Sequence, residues 1–169
     1  RAAEEYGVGD IDFRLCDGLS GIAAEEVDTV VIAGMGGETI MAILSGALWT
    51  KDGAHTLLLQ PMTKAAELRH WLTVNGYCFT EEQLVWDKNY LYPVLKVTGG
   101  ESQKLTELQA LTGVMLEEDP LYGDYLRQHE EKLRDIAAGL RRSGREDALQ
   151  RAKEAEMLVD CIVERIRTL

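Results

Sequence analysis

Residues 30–41 read VVIAGMGGETIM: an apolar β-branched run meets three glycines within four positions, and an apolar helical pattern follows at once. Residues 29–33 form the continuous apolar run expected of a strand covered on both faces. Ile40, Ile43 and Leu44, with Leu48 one turn further on, give the stripe of an amphipathic helix. In open α/β sheets ligands sit beyond the carboxyl ends of the strands, so Ala33, Gly34, Met35, Gly36 and Gly37 mark a strand end that something could approach closely. A phosphate does not suit it. A phosphate-binding loop needs a Lys followed by Ser or Thr, which is missing after Gly37, and the G-x-G-x-x-G pattern fails at Thr39. Glu38, in the first helical turn, would also repel a pyrophosphate. A tight turn without a ligand is one reading that remains; the other is a bare floor that admits a flat, uncharged ring.

The flanking sequence favours the ring. Residues 11–15, Ile-Asp-Phe-Arg-Leu, alternate apolar and charged side chains as a half-buried strand does, and Asp17-Gly18 follows as a turn. A carboxylate at that strand end can accept a hydrogen bond from an exocyclic amine such as that of adenine. Paired with AGMGG, it suggests an adenosine-type ligand.

Further along, residues 21–27 read as a short helical link and 56–60 as an apolar strand stopped by Pro61. Ala65, Leu68, Trp71 and Leu72 mark a helix that Asn75-Gly76 closes. Residues 79–86 and 90–97 read as a hairpin turning at Asp87-Lys88-Asn89, with Pro93 demanding a bulge or an edge. The order implies an α/β fold: a parallel sheet with helices on its faces and an antiparallel edge contribution. Beyond Gly99-Gly100 the pattern changes. Residues 105–116 read as a short helix broken at Pro120. Tyr122, Leu126, His129, Leu133, Ile136 and Leu140, and then Ala148, Ala152, Ala155, Val159, Ile162, Ile166 and Leu169, recur at alternating spacings of 4 and 3. Two such helices across Ser143-Gly144 make an antiparallel coiled-coil hairpin over 121–142 and 145–169, with His129 a packing residue on its seam. The chain therefore divides into residues 1–98 and a helical domain at 99–169.

The net charge of −11 argues against non-specific nucleic-acid binding. Yet residues 132–153 hold seven basic groups against three acidic, including Arg141, Arg142 and Arg145 at the helical turn. Such a stretch is either an ordinary solvated face or a phosphate-contacting one. Cys16, Cys78 and Cys161 lie far apart, which suits neither a metal site nor a disulfide framework. No run approaches the roughly 18 apolar residues of a membrane span, and the chain reads as cytoplasmic. Its first residues, RAAEEYGV, read as a helix ending near Gly7, as in the later part of a longer protein.

The runs FRLCDGLSGI, DTVVIAGMGGETIMAIL, LLLQPMTKAAELRHWLTVNGY and FTEEQLVWDKNYLYPVLKV together resemble the bacterial tRNA (adenine(22)-N1)-methyltransferase family. That resemblance, over roughly residues 5–98, implies a Rossmann-like domain that uses S-adenosylmethionine to methylate N1 of a tRNA adenine, followed by a coiled-coil hairpin. It implies cofactor contacts at Asp17, Gly18, Leu19, Ala33, Gly34 and Met35, and target-side contacts at Gly36, Gly37, Gln60 and Pro61. The family's D-x-G-x-D-H-G stretch has no counterpart here, so the resemblance implies a chain without the family's first strands, keeping the adenine side of the cofactor site. Methyl transfer from a sulfonium depends chiefly on proximity and orientation, and no general base is assigned. Arg141, Arg142 and Arg145 would contact RNA phosphates. Exposed strand edges or the coiled coil could support a homodimer. Other readings are a methyltransferase of the same fold with a non-tRNA acceptor, and a non-catalytic helical interaction module.

Overall fold

The structure, a computed structural model, describes residues 5–7 and 9–169. Most of the helix read in the first eight residues lies outside these, although Gly7 is left-handed (φ 66°), as a helix-ending glycine is. Four strands, β1 (Thr29–Gly36), β2 (Thr56–Thr63), β3 (Tyr77–Asp87) and β4 (Tyr90–Gly99), form one sheet in the order β1-β2-β4-β3. β1 and β2 are parallel and joined through helix α1 (Gly37–Ser45); β4 is antiparallel to both β2 and β3. Helix α2 (Ala65–Val74) links β2 to the hairpin. The helical part comprises α3 (Glu107–Thr112), α4 (Tyr122–Ser143) and α5 (Glu146–Arg167).

One face of the sheet carries Val30, Ile32, Leu57, Leu59, Leu95 and Val97 against Ile40 and Leu44 of α1 and Leu68 and Leu72 of α2. The side chains between them point the other way. Val31 is 65% exposed, so among the described residues β1 is covered on one face only, where its unbroken apolar run reads as covered on two. Residues 11–15 form no ladder; Phe13 and Leu15 stand exposed because an alternating pattern becomes a strand only beside a partner, and β1 pairs here with β2 alone. Arg14 instead pairs with Asp12 and Glu26. The helical link shrinks to a single turn at Ala24–Glu26. Leu48 is exposed and Ala47 buried in its place, since α1 ends at Ser45.

Both prolines obey the same geometric rule. The β2–β4 ladder ends at Leu59↔Leu95. Pro61 therefore continues β2 opposite Met35 rather than stopping it, and Pro93 sits in β4 opposite Leu84. Each lies past the end of that ladder, where one side of its strand needs no N–H donor.

The two parts of the chain share a core. Leu84 and Leu91, at the far end of the hairpin, pack with Leu116, Tyr122, Tyr125, Leu126 and Ile162. On α5 the expected stripe is buried from Ala148 to Ile162; on α4 it slips by one residue, burying Ala137 and leaving Ile136 43% exposed. A straight helix drifts about 20° per heptad, and the α4 face is first set by its packing on the hairpin.

A buried charge ties these elements together. Arg69 of α2 is fully buried, and its Nε donates to Glu82 Oε1 of β3 at 2.8 Å. Its Nη1 donates to the Ala110 carbonyl of α3 at 2.9 Å, and both terminal nitrogens reach the Tyr125 hydroxyl of α4 at 3.4 Å. Glu82 Oε2 accepts the N–H groups of Val114 (2.5 Å) and Met115 (2.9 Å). Glu82→Gln removes the counter-charge, and should cost about 3–5 kcal/mol in urea denaturation. The double variant Arg69→Met/Glu82→Gln removes both charges but keeps an acceptor for Val114 and Met115, and should recover much of that loss.

His55, buried before β2, faces acceptors with both ring nitrogens: Asp52 Oδ1 at 2.8 Å and the Ala24 carbonyl at 3.0 Å. The Ala24 carbonyl and the Asp52 carboxylate raise its pKa, and Asp52 is lowered in turn by its bond to His55. A raised imidazole favours folding below its unfolded pKa of about 6.5 and loses that contribution as pH rises through the folded value. The urea midpoint should therefore fall between pH 6 and pH 8, and that fall should be smaller in His55→Gln.

Candidate active site

β1 does not stop before the glycines. It continues to Gly36, with register shifts between Ala33 and Met35 and between Met35 and Gly36. Gly34 is the extra residue of this bulge, left-handed at φ 76°, and a Cβ placed on it would meet nothing within 4 Å. Conformation requires glycine there, and the space beside it is open. Gln60 Oε1 on β2 accepts the Gly34 N–H at 2.8 Å, while the Gln60 amide nitrogen makes only long contacts, 3.5 Å to the Pro61 carbonyl and 3.6 Å to Met62 Sδ. Gly37 is glycine for another reason: a Cβ would lie 2.6 Å from the Lys64 carbonyl oxygen and 3.0 Å from that of Thr63. The β1–α1 and β2–α2 turns thus pack backbone to backbone. Lys64 is itself left-handed (φ 56°), its carbonyl accepts the Leu68 N–H at 3.0 Å, and its ammonium, with its pKa raised by Glu38, pairs with that carboxylate across the two turns. With Glu38 engaged in this way, the turn offers a bare backbone that can orient a ring, and no free acid or base.

Ala33 and Gly34 are exposed, Met35 is 41% exposed, Gly36 and Gln60 are half-buried, and Gly37 and Pro61 are buried. Asp17 and Gly18 are exposed and Leu19 packs on the core. Gly18 lies against Ile43, where a Cβ would come 3.1 Å from Ile43 Cγ1. Ile43 is six residues into α1, about 9 Å along its axis from Gly37. One helix thus carries both turns at separate points. The arginines are further away, at the end of a helical hairpin about 33 Å long. Arg141 is bound to Glu156 by two bonds of 2.6 Å and Arg145 to Asp147 at 3.1 Å, while Arg142 makes no salt bridge among the described residues. Also among those residues, no group of three His, Cys, Asp or Glu side chains could hold a metal. Thr63 and Lys64, which brace the turn, carry no sequence signal: a left-handed lysine looks like any other lysine in the chain.

The family model described as tRNA (adenine(22)-N(1))-methyltransferase matches residues 3–165. The chain belongs to this family. The tRNA (adenine(22)-N(1))-methyltransferase of Bacillus subtilis is 32% identical over 127 residues, 75% of this chain and 51% of that protein, so the chain spans about half the length of this curated relative. A Streptococcus agalactiae protein of the NADB-Rossmann superfamily superposes with a TM-score of 0.80 at 28% identity, over 97% of this chain and 72% of that one. Sp1610 of Streptococcus pneumoniae, solved in complex with S-adenosyl-L-methionine, gives 0.78 at 27% identity, over 98% and 73%. The Rossmann-like reading of the tRNA (adenine(22)-N(1))-methyltransferase sheet holds, and β1 is the strand whose end carries the candidate site.

The two key glycines should respond differently to substitution. Gly37→Ala drives a methyl into backbone that cannot move aside, and should lower the melting temperature more than Gly34→Ala, whose left-handed strain costs about 1–2 kcal/mol. Equal losses in thermal melts would mean that the two turns are not packed as described.

Proposed function

We propose that this protein transfers the methyl group of S-adenosylmethionine to N1 of an adenine in tRNA. The observation that carries the reading is the open bulge at Gly34, bare of a side chain and with its amide fixed by Gln60, in a chain of this family. The empty space at Gly34 fits a flat ring, and the exposed carboxylate of Asp17, on a separate turn, fits the exocyclic amine of the cofactor's adenine. When bound, the cofactor supplies an electrophilic methyl on a sulfonium. Asp17, Gly18 and Leu19 would hold the cofactor's adenine, with Ala33, Gly34 and Met35 beside the methyl. Gly36, Gln60 and Pro61 would border the target base, and Gly37 would keep the turn closed on Lys64. Gln60 is the directional element: with Oε1 committed to Gly34, its amide hydrogens are left to face an acceptor on the base edge. No proton need be removed from N1, whose lone pair is free at neutral pH, so in-line placement is the main requirement. The target base leaves its stack to enter the site, and tRNA as substrate supports a cytoplasmic location.

On the helical hairpin, Arg142 is the best candidate for a phosphate contact; Arg141 is engaged as an inter-helix clamp and Arg145 is paired with Asp147. The experiment incubates the protein with tRNA and S-adenosylmethionine and measures N1-methyladenine by mass spectrometry of nucleosides. Formation of that nucleoside is expected; its absence while cofactor is bound would overturn the reading, and label in a non-RNA acceptor would favour another substrate. Arg142→Ala should weaken tRNA binding and reduce the salt slope by about one, whereas Arg141→Ala should chiefly lower the stability of the hairpin.

A further inference from the structure

A cleft of about 800 Å³ opens where β2 runs past its ladder with β4. Its walls are the Pro61–Lys64 segment that follows Gln60, the start of β4 at Tyr90 and Tyr92, and the α4 face bearing His129 and Lys132. It therefore adjoins the target side of the glycine turn without being part of it.

We propose that this cleft is a subsite for an unpaired nucleobase next to the methylated adenine in the RNA strand. The inference rests on the reading of the protein as a tRNA methyltransferase and goes further by naming what lies beside the target. Three observations carry it. First, Tyr90 is 61% exposed and Tyr92 half-exposed, and their rings stand 6.4 Å apart with planes inclined at 49°. They are splayed rather than stacked on one another, so each leaves a face free for a flat partner. Met62, 43% exposed, adds a polarisable thioether. Second, the charges select a base over a phosphate. Lys64 is already paired with Glu38, and the remaining ammonium, Lys132, shares the lining with the carboxylates of Glu131 and Asp135. A phosphate would meet net negative charge there, whereas exocyclic amines of a base find acceptors. Third, Nε2 of His129 in the cleft wall is buried without a hydrogen-bond partner among the described residues. Burial, with Arg69 and Lys132 near by, lowers this imidazole to about 4 and keeps it neutral, so the wall adds no positive charge for a phosphate. Single-stranded RNA is generally held by stacking on such rings. A base extruded into the glycine turn also leaves its neighbours unstacked and in need of a surface.

The test uses tRNA transcripts carrying 2-aminopurine on either side of the target adenine. Fluorescence quenching on binding to the wild-type protein is expected from one of the two positions. Tyr90→Ala, an exposed position whose loss the fold tolerates, should abolish that quench and weaken binding about tenfold, while Tyr90→Phe should retain it. Tyr92→Leu, which keeps apolar bulk without a ring, should behave as Tyr90→Ala does. Cofactor affinity should be unchanged in all three. An unaltered quench in Tyr90→Ala and Tyr92→Leu, or no quench from either position, would overturn the subsite alone if the wild-type protein still binds and methylates tRNA. A fall in cofactor affinity would overturn it in favour of the cofactor's own ring occupying the cleft. Failure of the wild-type protein to bind tRNA at all would overturn the proposed function and this inference with it.

Discussion

A fully buried guanidinium cannot be left half-satisfied, and Arg69 organises the molecule around that requirement. Its partners come from β3, α3 and α4, and Glu82 in turn fixes the Val114–Met115 backbone. Gly113, left-handed at φ 99°, lets the chain pass that close: a Cβ there would lie 3.3 Å from Glu82 Oε2 and 2.4 Å from Leu116 Cδ1. Hydrophobic contacts between the hairpin and the helices fix nearness but little orientation. The directional bonds of Arg69 lock how the helical part sits on the sheet, which makes one body of two sequence regions with different patterns.

That lock bears on the site. The α2 helix that carries Arg69 begins at Lys64, whose carbonyl lies under Gly37 and whose ammonium meets Glu38. One short helix therefore connects the buried ion pair at its middle with the glycine turn at its start. The cleft beside Tyr90 and Tyr92 lies between the same elements, bounded by the start of α2 on one side and by α4 on the other.

The chemistry offered at the turn is that of placement. The bulge exposes backbone, Gln60 fixes one amide and presents another, and the neighbouring Glu38 and Lys64 pair with each other. Such a surface suits a reaction whose nucleophile already carries its lone pair and whose electrophile is brought by a cofactor. At the far end of the helical hairpin Arg141 and Arg145 are engaged in ion pairs of their own, while Arg142 makes none among the described residues.

Sequence alone determined the alternation of strands and helices, the hairpin at Lys88-Asn89, the heptad stripe of α5 and the position of the glycine turn, because each is a local periodicity or a backbone exception written in neighbouring residues. It also carried the resemblance that named the family. Only the tertiary structure decided that Pro61 and Pro93 sit inside strands, that residues 11–15 find no partner among the described residues, and that Gly18 packs on Ile43. It alone revealed why Gly34 and Gly37 are glycines for different reasons, and that Arg69, Glu82 and Tyr125 meet. Ladder ends, the close approach of two turns and a buried charge with its partners join residues tens of positions apart, and no window along the chain records which distant atoms will share a space.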